Sequence, residues 1–373
     1  MARVFSLLLL CWLCLSMPSI GFADSKVIKV AVLDNIGDSS LPSDYRSSYL
    51  QGVATAVMAA EQQGYAIQYK TFFYSDKPLA IFNEIPQVTA WKPDVIIGPH
   101  FSNQFLLLKN RFSNILVISP YASDPELATM SSNFYSLSIS DAELNNAIVE
   151  YMSKSFPNKN VFNVVAADCK DCIDSSNFLS NLYVQENPAA KVTNGLYVGD
   201  VAAVDIGKLM GNYQKDDIIV LQSDSFLSSQ QLIFRISSYL ARDNLIFINC
   251  LDNWGSINSA IMPNKNYTEY WITPYLFDKT SKNYQDFLQY YMEAYKSPPQ
   301  NAISYTAFLT LISVTTALSN AHYDPSQSMR ANILKSYQAA REKNPNWFRP
   351  TATAVYRTNA QGVQLIGMVS TVK

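Results

Sequence analysis

The sequence predicts an α/β protein made of two Rossmann-like lobes, each with a mostly parallel sheet, joined by a hinge of several strands. The chain has 373 residues, more than one hydrophobic core usually holds, and 48% of them are apolar. Short apolar runs alternate with helix-length segments, as in doubly wound parallel sheets. The alternation restarts after about residue 140, which indicates a second lobe of similar size.

The first lobe is predicted to begin with a strand at residues 27–33 (VIKVAVL), followed by a helix at 45–62 whose apolar residues recur at helical spacing. The next strand and helix are predicted at 67–74 and 78–91. This second helix contains Pro86, and proline interrupts the backbone hydrogen bonding of a helix. We therefore expect it to be irregular.

The stretch 94–127 carries the clearest functional pattern in the sequence. Its apolar runs 95–97 and 115–118 predict two fully buried parallel strands, and they end in loops of small and hydroxyl residues, 98–102 (GPHFS) and 119–123 (SPYAS). In an open parallel sheet, ligands bind outside the carboxyl ends of the strands, where loops expose backbone N–H groups and helix N-termini. We therefore expect these two loops to form a binding site.

The segment between the two loops, 102–112, is predicted as a connecting helix, and a further strand is predicted at 134–139. Ser140 and Asp141 are favourable N-cap residues for a helix at 142–155. We expect the second lobe to begin with this helix.

The second lobe repeats the alternation of strands and helices. Strands are predicted at 161–167, 191–198, 217–221 and 245–249, and helices at 175–185, 204–213 and 228–240. This order predicts a second parallel sheet, which would face the first.

The chain is then predicted to return to the first lobe through residues 271–276. The helices expected there are 283–296, 304–321 and 328–343. The last segment, 351–372, alternates apolar and polar residues around Asn-Ala-Gln-Gly, which is typical of a hairpin. The predicted first lobe is 24–140 plus 274–350, and the predicted second lobe is 141–273 plus 351–373.

Residues 1–23 have the pattern of a secretory signal peptide. Arg3 is followed by the apolar run 7–15 and then by the small-x-small cleavage site Gly-Phe-Ala. We expect the mature protein to begin near Asp24. An uncleaved membrane anchor is the less favoured alternative, because the apolar run is shorter than the roughly 20 residues that a span needs.

The charge balance argues against one class of partner. Only 16% of the residues are charged, and the formal net charge is −2. Nucleic-acid binding depends on clustered Lys and Arg side chains that release counterions from the phosphates. The sequence has no basic cluster, so we expect no nucleic-acid partner.

The order of these features resembles the type I periplasmic solute-binding proteins. The similarity is carried by IKVAV in the first strand, the spacing from Tyr45 to Gly52, VIIGPxxS at 95–102 and ISPxASxPEL at 118–127. Within that family the pattern is similar to the leucine/isoleucine/valine-binding class, which feeds ABC importers. The resemblance implies the type I periplasmic binding protein fold and a periplasmic receptor. Such a receptor captures a small ligand, here an amino acid or related carboxylate, and delivers it to an ABC transporter permease. It implies no cofactor, no catalysis and no membrane span after signal cleavage.

The resemblance also implies which residues contact the ligand. In the family, the hydroxyl after GPxx and the loop after ISP bind the α-carboxylate and α-ammonium, a first-helix tyrosine lies over the substrate, and a second-lobe acid meets the ammonium. The matching residues here are Ser102, Tyr121, Ala122, Ser123 and Tyr45, with Asp252 or Asp224 as the acid. The alternative for both serines is that they only cap helices.

Three cysteines remain after the predicted signal. Cys169 and Cys172 follow the strand 161–167 and are expected on the crevice side, while Cys250 ends another strand of the same sheet. A structural disulfide is favoured in an oxidising compartment, with Cys250 as an alternative partner for either of the other two. A zinc site that includes His100 and a redox dithiol are less favoured readings.

No catalytic motif stands out in the sequence. It has no GxSxG elbow, no P-loop and only two histidines. A triad of Ser102, His100 and Asp124 is disfavoured, because a serine and a histidine two positions apart on one tight loop do not meet well. The alternative to a transport receptor is an envelope sensor or regulator that uses the same fold for protein contact, and an enzyme ranks third.

Overall fold

A computed structural model describes residues 26–35, 45–75, 77, 79–223, 226–241, 244–249, 267–274, 278, 280–299, 301–359 and 362–371. Within these residues the chain forms two α/β lobes, each built on its own mostly parallel sheet. The predicted fold class is confirmed.

The strands of the first lobe are β1 (Lys26–Asn35), β2 (Tyr65–Tyr74), β3 (Val95–Ile97), β4 (Leu116–Ser119) and β5 (Phe134–Ser136). They pair in the order β2-β1-β3-β4-β5, and every pair is parallel. The strands of the second lobe are β6 (Val161–Ala166), β7 (Val192–Tyr197), β8 (Ile218–Gln222), β9 (Leu245–Asn249), β10 (Tyr267–Pro274), β11 (Ala352–Asn359) and β12 (Gly362–Ser370). Their order is β12-β11-β10-β9-β8-β6-β7, with the hairpin β11–β12 antiparallel at one edge.

The helices are α1 (Tyr45–Gln62), α2 (Ile85–Trp91), α3 (Ser102–Leu107), α4 (Asp141–Ser155), α5 (Lys170–Glu186), α6 (Ile206–Leu209), α7 (Phe226–Leu240), α8 (Lys282–Tyr295), α9 (Ile303–Ser319) and α10 (Met329–Lys343). Three short 3-10 turns lie at Ala80–Asn83, Pro125–Thr129 and Val201–Ala203. In the ranges given above, no helix is both long and apolar enough to cross a bilayer.

The first-lobe sheet is covered on both faces. Helices α1, α8, α9 and α10 form one core with it, and α2 and α3 form the other. All but two of the seventeen residues of α9 are buried, because this helix is surrounded by the sheet and its neighbouring helices. Gly52 on α1 permits the closest approach, since a Cβ there would lie 2.0 Å from the backbone oxygen of Ser304. This packing fixes α9 firmly in the first lobe.

The second lobe is also layered. One face of its sheet packs on α4 and α5, and the other packs on α6 and α7. Helix α4 begins with a complete capping box, in which the Ser140 hydroxyl accepts the N–H of Glu143 and the Glu143 carboxylate accepts the N–H of Ser140. The predicted N-cap at this position is confirmed, and it places the start of the second lobe directly after β5.

Two predicted first-lobe helices have different bounds in the structure. The segment 78–91 is split into a 3-10 turn and α2, because Pro86 lies in the first turn of α2 and cannot continue a preceding helix. The segment 102–112 is helical only as far as Leu107. The chain then turns, with Asn110 in the left-handed region at φ 68°.

Two second-lobe helices also differ from the prediction. Helix α5 begins at Lys170, earlier than the predicted 175, because the Cys169 sulfur accepts the N–H of Cys172 and caps the helix. The predicted helix 204–213 is reduced to α6, which Asp205 caps. Cys169 and Cys172 therefore lie at the start of this helix, whereas the sequence pattern predicts that it begins only at residue 175.

Candidate ligand-binding site

The loop after β3 makes a sharp turn that only glycine accommodates. Gly98 has φ +91°, and a Cβ there would lie 2.4 Å from the backbone oxygen of Leu33 on the neighbouring strand β1. The Gly98–Pro99 peptide bond is cis. This turn brings α3 close to the carboxyl end of β4, so Ser102, its first residue, lies beside the loop that follows β4.

Ser102 joins the two loops that the sequence singled out. Its Oγ accepts the backbone N–H of Ser123 at 2.9 Å and that of Asp124 at 3.0 Å. The N-cap position of α3 belongs to Phe101, so Ser102 does not cap its own helix. The structure thus brings Ser102 and Ser123 together, as the resemblance implied.

Ser119 holds the other half of the second loop. Its Oγ accepts the N–H of Ala122 at 3.0 Å and that of Tyr121 at 3.3 Å, and it donates to the carbonyl of Pro99 at 2.7 Å. All four consecutive N–H groups of residues 121–124 therefore donate to serine hydroxyls. These bonds tie the loop to Ser119 and Ser102, so these N–H groups already have acceptors within the protein.

The hydroxyl groups of Ser102 and Ser123 keep hydrogen-bonding capacity for a ligand. Both side chains are half-buried. Ser102 Oγ accepts two hydrogen bonds but has no acceptor for its own proton among the residues described, and the Ser123 hydroxyl makes no hydrogen bond to any of them. Two donors therefore lie next to each other at the carboxyl ends of adjacent parallel strands, where ligands bind in such sheets.

Tyr121 and Ala122 are packed into the first lobe. Tyr121 is 8% exposed, and its hydroxyl donates to the carbonyl of Ile303, at the start of α9, at 3.1 Å. Ala122 is buried, and its carbonyl accepts a hydrogen bond from the Ser136 hydroxyl. In this conformation the side chains of both residues pack against the interior of the first lobe and not towards the crevice side of the loop.

A buried polar cluster that sequence reasoning missed lies beneath the two loops. Asp34, at the end of β1, is fully buried, and its carboxylate lies 3.4 Å from His100 Nε2 and 3.3 Å from Arg46 Nε. The His100 ring meets Tyr49 edge-on, with centroids 4.3 Å apart. Burial, and then the negative charge of Asp34, raise the pKa of the Tyr49 hydroxyl well above its ordinary value. The available signal was that Asp34 follows an apolar strand at its carboxyl end.

His100 is therefore directed to Asp34 and not to Ser102. The imagined triad of Ser102, His100 and Asp124 is not assembled, since the Asp124 carboxylate accepts the N–H of Glu126 at 2.7 Å in its own turn. Across the described ranges, no group of three or more His, Cys, Asp or Glu side chains is arranged to hold a metal ion.

Several predicted site residues lie outside the described part of the chain. These are Asp224, Asp252 and Cys250, and the side chain of Tyr45, although the backbone of Tyr45 begins α1. Cys169 and Cys172 are described, and the structure joins them in a disulfide at the carboxyl end of β6. This end of β6 is the edge at which the second lobe would meet a ligand.

The second lobe contains its own buried polar network. Ser223, after β8, shares a hydrogen bond with Ser229 on α7, and Ser229 in turn donates to Asn249 Oδ1 at the end of β9. Gln230 on α7 donates to Glu269 Oε1 on β10 at 3.0 Å. Burial raises the pKa of the Glu269 carboxyl to about 8, despite the lowering effect of hydrogen bonds from neighbouring side chains.

No protein-family model matches the sequence, and no curated protein matches it. Solved structures do match. The branched-chain amino acid transporter substrate-binding protein LivJ from Streptococcus pneumoniae, in complex with isoleucine, superimposes with a TM-score of 0.68 over 92% of this chain and 100% of that chain, at 15% sequence identity. This chain has the type I periplasmic binding protein fold.

Other solved structures with the type I periplasmic binding protein fold also match this chain. The leucine-binding protein LivK from Thermotoga maritima matches with a TM-score of 0.69 at 15% identity, over 92% of this chain and 99% of that one. A solute-binding protein of an ABC transporter from R. palustris, in complex with benzoate, matches with a TM-score of 0.69 at 14% identity, over 92% and 96%. The resemblance read from the sequence is confirmed at the level of the fold.

Proposed function

We propose that this chain is a periplasmic solute-binding protein. It captures a small ligand, an amino acid or related carboxylate, between its lobes and delivers it to an ABC-type transporter. The observation that carries the proposal is the pair of half-buried hydroxyls of Ser102 and Ser123, held on a rigid loop at the carboxyl ends of β3 and β4. The structural neighbours bound to isoleucine and benzoate both hold small carboxylates, which supports this ligand class.

The electrostatics around the two hydroxyls are compatible with a carboxylate. The nearest acids are already engaged, because Asp34 is paired with Arg46 and His100 beneath the loops and Asp124 caps its own turn. Hydrogen bonds from hydroxyls to an ionised carboxylate are stronger than those between neutral groups. The first lobe thus supplies donors, and the charge of Asp34 is compensated by Arg46, whereas Asp124 keeps its charge in the turn beside Ser123.

The second lobe would complete the site by hinge closure, without making or breaking a covalent bond. A buried α-ammonium needs a carboxylate partner, because an unpaired buried charge costs several kcal/mol. We assign that role to Asp252, with Asp224 as the alternative. Each follows a strand of the second lobe at its carboxyl end.

The experiment is a thermal-shift screen against amino acids, short peptides and small carboxylates, followed by calorimetry on variants. Ser102→Ala and Ser123→Ala should each weaken binding of the ligand found by about 1.5 to 3 kcal/mol, the range for hydrogen bonds to charged groups. Ser238→Ala, at an exposed serine on α7, is the matched control and should bind normally. Unchanged affinity in both site variants would rule out binding of a ligand carboxylate by the hydroxyls of Ser102 and Ser123.

A second arm of the experiment tests the amino-acid assignment. Asp252→Asn should weaken binding of the amino acid and spare an analogue that lacks the amine, and the same measurement on Asp224→Asn identifies the alternative partner. If neither variant affects amino-acid binding, or if only ligands without an amine are found, the amino-acid assignment fails. The receptor function for another small solute would then stand.

One observation favours the second candidate, an envelope sensor or regulator that works by protein contact. The four N–H groups of residues 121–124 are already satisfied within the protein, whereas a carboxylate receptor commonly uses such groups. A screen in which no small molecule raises the melting temperature, although the protein is folded and pure, would favour this function over transport.

A further inference from the structure

A cavity of about 500 Å³ lies beside the β5 edge of the first-lobe sheet. Its walls are the loop that begins at Ala122, the 3-10 turn Pro125–Thr129, β5 and the C-terminal end of α10, and Glu143 on α4 also lines it. We call it the hinge pocket. It shares Ala122, Ser123 and Asp124 with the second loop of the site described above, but no residue of the first loop or of α3 lines it.

The hinge pocket contains an arginine without a full set of partners. Arg341, near the end of α10, has its Nη1 atom buried with no hydrogen-bond partner in the described part of the chain, and its guanidinium lies 5.3 Å from the centroid of the Tyr135 ring. Burial is the main cause that lowers the pKa of Arg341, and the nearby charge of Arg349 also lowers it. A desolvated cationic donor without an acceptor is costly, so its position calls for an anion.

A second polar group in the hinge pocket is also left without a partner. Ser138 is 2% exposed, and its Oγ makes no hydrogen bond to any residue that the structure describes. Its backbone is satisfied, because its N–H donates to Ser136 Oγ at 3.0 Å and its carbonyl accepts Arg349 Nε at 2.8 Å. The hydroxyl is therefore the group of Ser138 left without a partner among the described residues, and Ser138 lines the same cavity as Arg341.

The two acids that line the hinge pocket do not supply the missing acceptor. The Glu143 carboxylate binds Arg349 at 2.7 Å and also closes the capping box of α4. Burial raises its pKa, but the Ser140 N–H and the Arg349 guanidinium outweigh this effect and lower the pKa overall. The Asp124 carboxylate accepts the N–H of Glu126. Neither carboxylate makes a hydrogen bond or a close ion pair with Arg341, so the guanidinium has no acidic acceptor in contact among the described residues.

We propose that the hinge pocket binds a small oxyanion through the Arg341 guanidinium and the Ser138 hydroxyl. Guanidinium groups match the planar geometry of carboxylates and the oxygens of phosphate, and a hydroxyl adds a third donor. The cavity has room for phosphate or for a larger carboxylate. This site does not depend on which ligand the crevice holds. Because Arg341 lies on α10 and Ser138 lies on the connection between β5 and α4, an anion bound by both would join these two segments.

The test is calorimetric titration of the full chain with inorganic phosphate, sulfate and citrate, each at the same ionic strength set with chloride. Saturable binding of one equivalent is expected for at least one of the three, and the preference between phosphate and citrate identifies the anion class. Arg341→Met should weaken that binding at least tenfold. Lys343→Met, which removes the same charge from an exposed side chain on the same helix, should leave it unchanged.

Ser138→Ala gives an independent readout. It should weaken anion binding while the free energy of unfolding of the anion-free protein stays the same or rises, because a buried hydroxyl without a partner is removed. This pattern separates a ligand role from a structural one, even if Arg341→Met folds poorly. Absence of saturable binding by all three anions into the millimolar range would overturn the proposal, as would unchanged binding in both Arg341→Met and Ser138→Ala.

Discussion

Replacing Glu269 with glutamine is expected to remove a pH dependence from the stability of this protein. Glu269 is fully buried on β10, and Gln230 donates a hydrogen bond to its Oε1 at 3.0 Å. Its pKa of about 8 in the folded protein compares with an ordinary value of 4.5. At 1.36 kcal/mol per pKa unit, this difference corresponds to at most about 5 kcal/mol between acidic and alkaline pH.

The sign follows from proton binding. Below about pH 4.5 the carboxyl is protonated in both the folded and the unfolded chain, so its ionisation does not lower the free energy of unfolding. Between pH 4.5 and about 8 the unfolded chain releases the proton while the folded chain keeps it, and the free energy of unfolding falls as the pH rises. Above that range both states are ionised and the loss is complete. Glu269→Gln should therefore stabilise the protein at pH 7, by up to about 3 kcal/mol.

The assay is urea unfolding followed by tryptophan fluorescence at several pH values in this range, for the wild type, Glu269→Gln and the control Glu186→Gln, whose side chain is exposed at the end of α5. The control should follow the wild type. The Glu269→Gln curve should be flatter and should converge with the wild type at the acidic end. Parallel wild-type and Glu269→Gln curves across the whole range would show that this carboxyl is not held protonated by burial.

Two further predictions concern packing and the thiols. Gly52→Ala should destabilise the first lobe by about 3 kcal/mol or more, because the new Cβ would meet the α9 backbone at 2.0 Å. The control is Gly367→Ala, which should be nearly neutral because its Cβ would meet no described atom within 4 Å. Equal melting temperatures for the two variants would contradict the close approach of α1 and α9. Alkylation under denaturing conditions and mass spectrometry of protein from its native compartment should find Cys169 and Cys172 oxidised and Cys250 as a free thiol. Three free thiols would contradict this.

The fold and the position of the two loops could be predicted from the sequence because they depend on local patterns. Apolar runs of three or four residues that end in glycine, proline and serine define the carboxyl ends of β3 and β4, whatever surrounds them. Parallel strands then place both ends at the same edge of the sheet. The proximity of the two loops follows from these two facts, whereas the hydrogen bond between Ser102 and the Ser123 N–H also depends on the turn at Gly98.

The buried charges could not be predicted because they depend on which strands become neighbours. β1 pairs with β3, with Val32 opposite Ile97, and only this register brings Asp34 next to His100. Glu269 lies within a strand that the sequence indicated only as a return segment at 271–276, and its burial depends on α7. The inward direction of Tyr121 likewise depends on α9, which lies 182 positions further along the chain.

Arg349 ties together two of the segments that connect the lobes. It lies on the connection between α10 and β11, and it bonds both the carbonyl of Ser138, on the connection between β5 and α4, and the carboxylate of Glu143. Sliding one connection past the other would break these charge-assisted bonds, so rotation about Arg349 as a pivot is the motion that preserves them. In a rotation, displacement grows with distance from the pivot. A small rotation about Arg349 would therefore separate the two lobes widely at the edges farthest from it, while the residues beside Arg349 would hardly move.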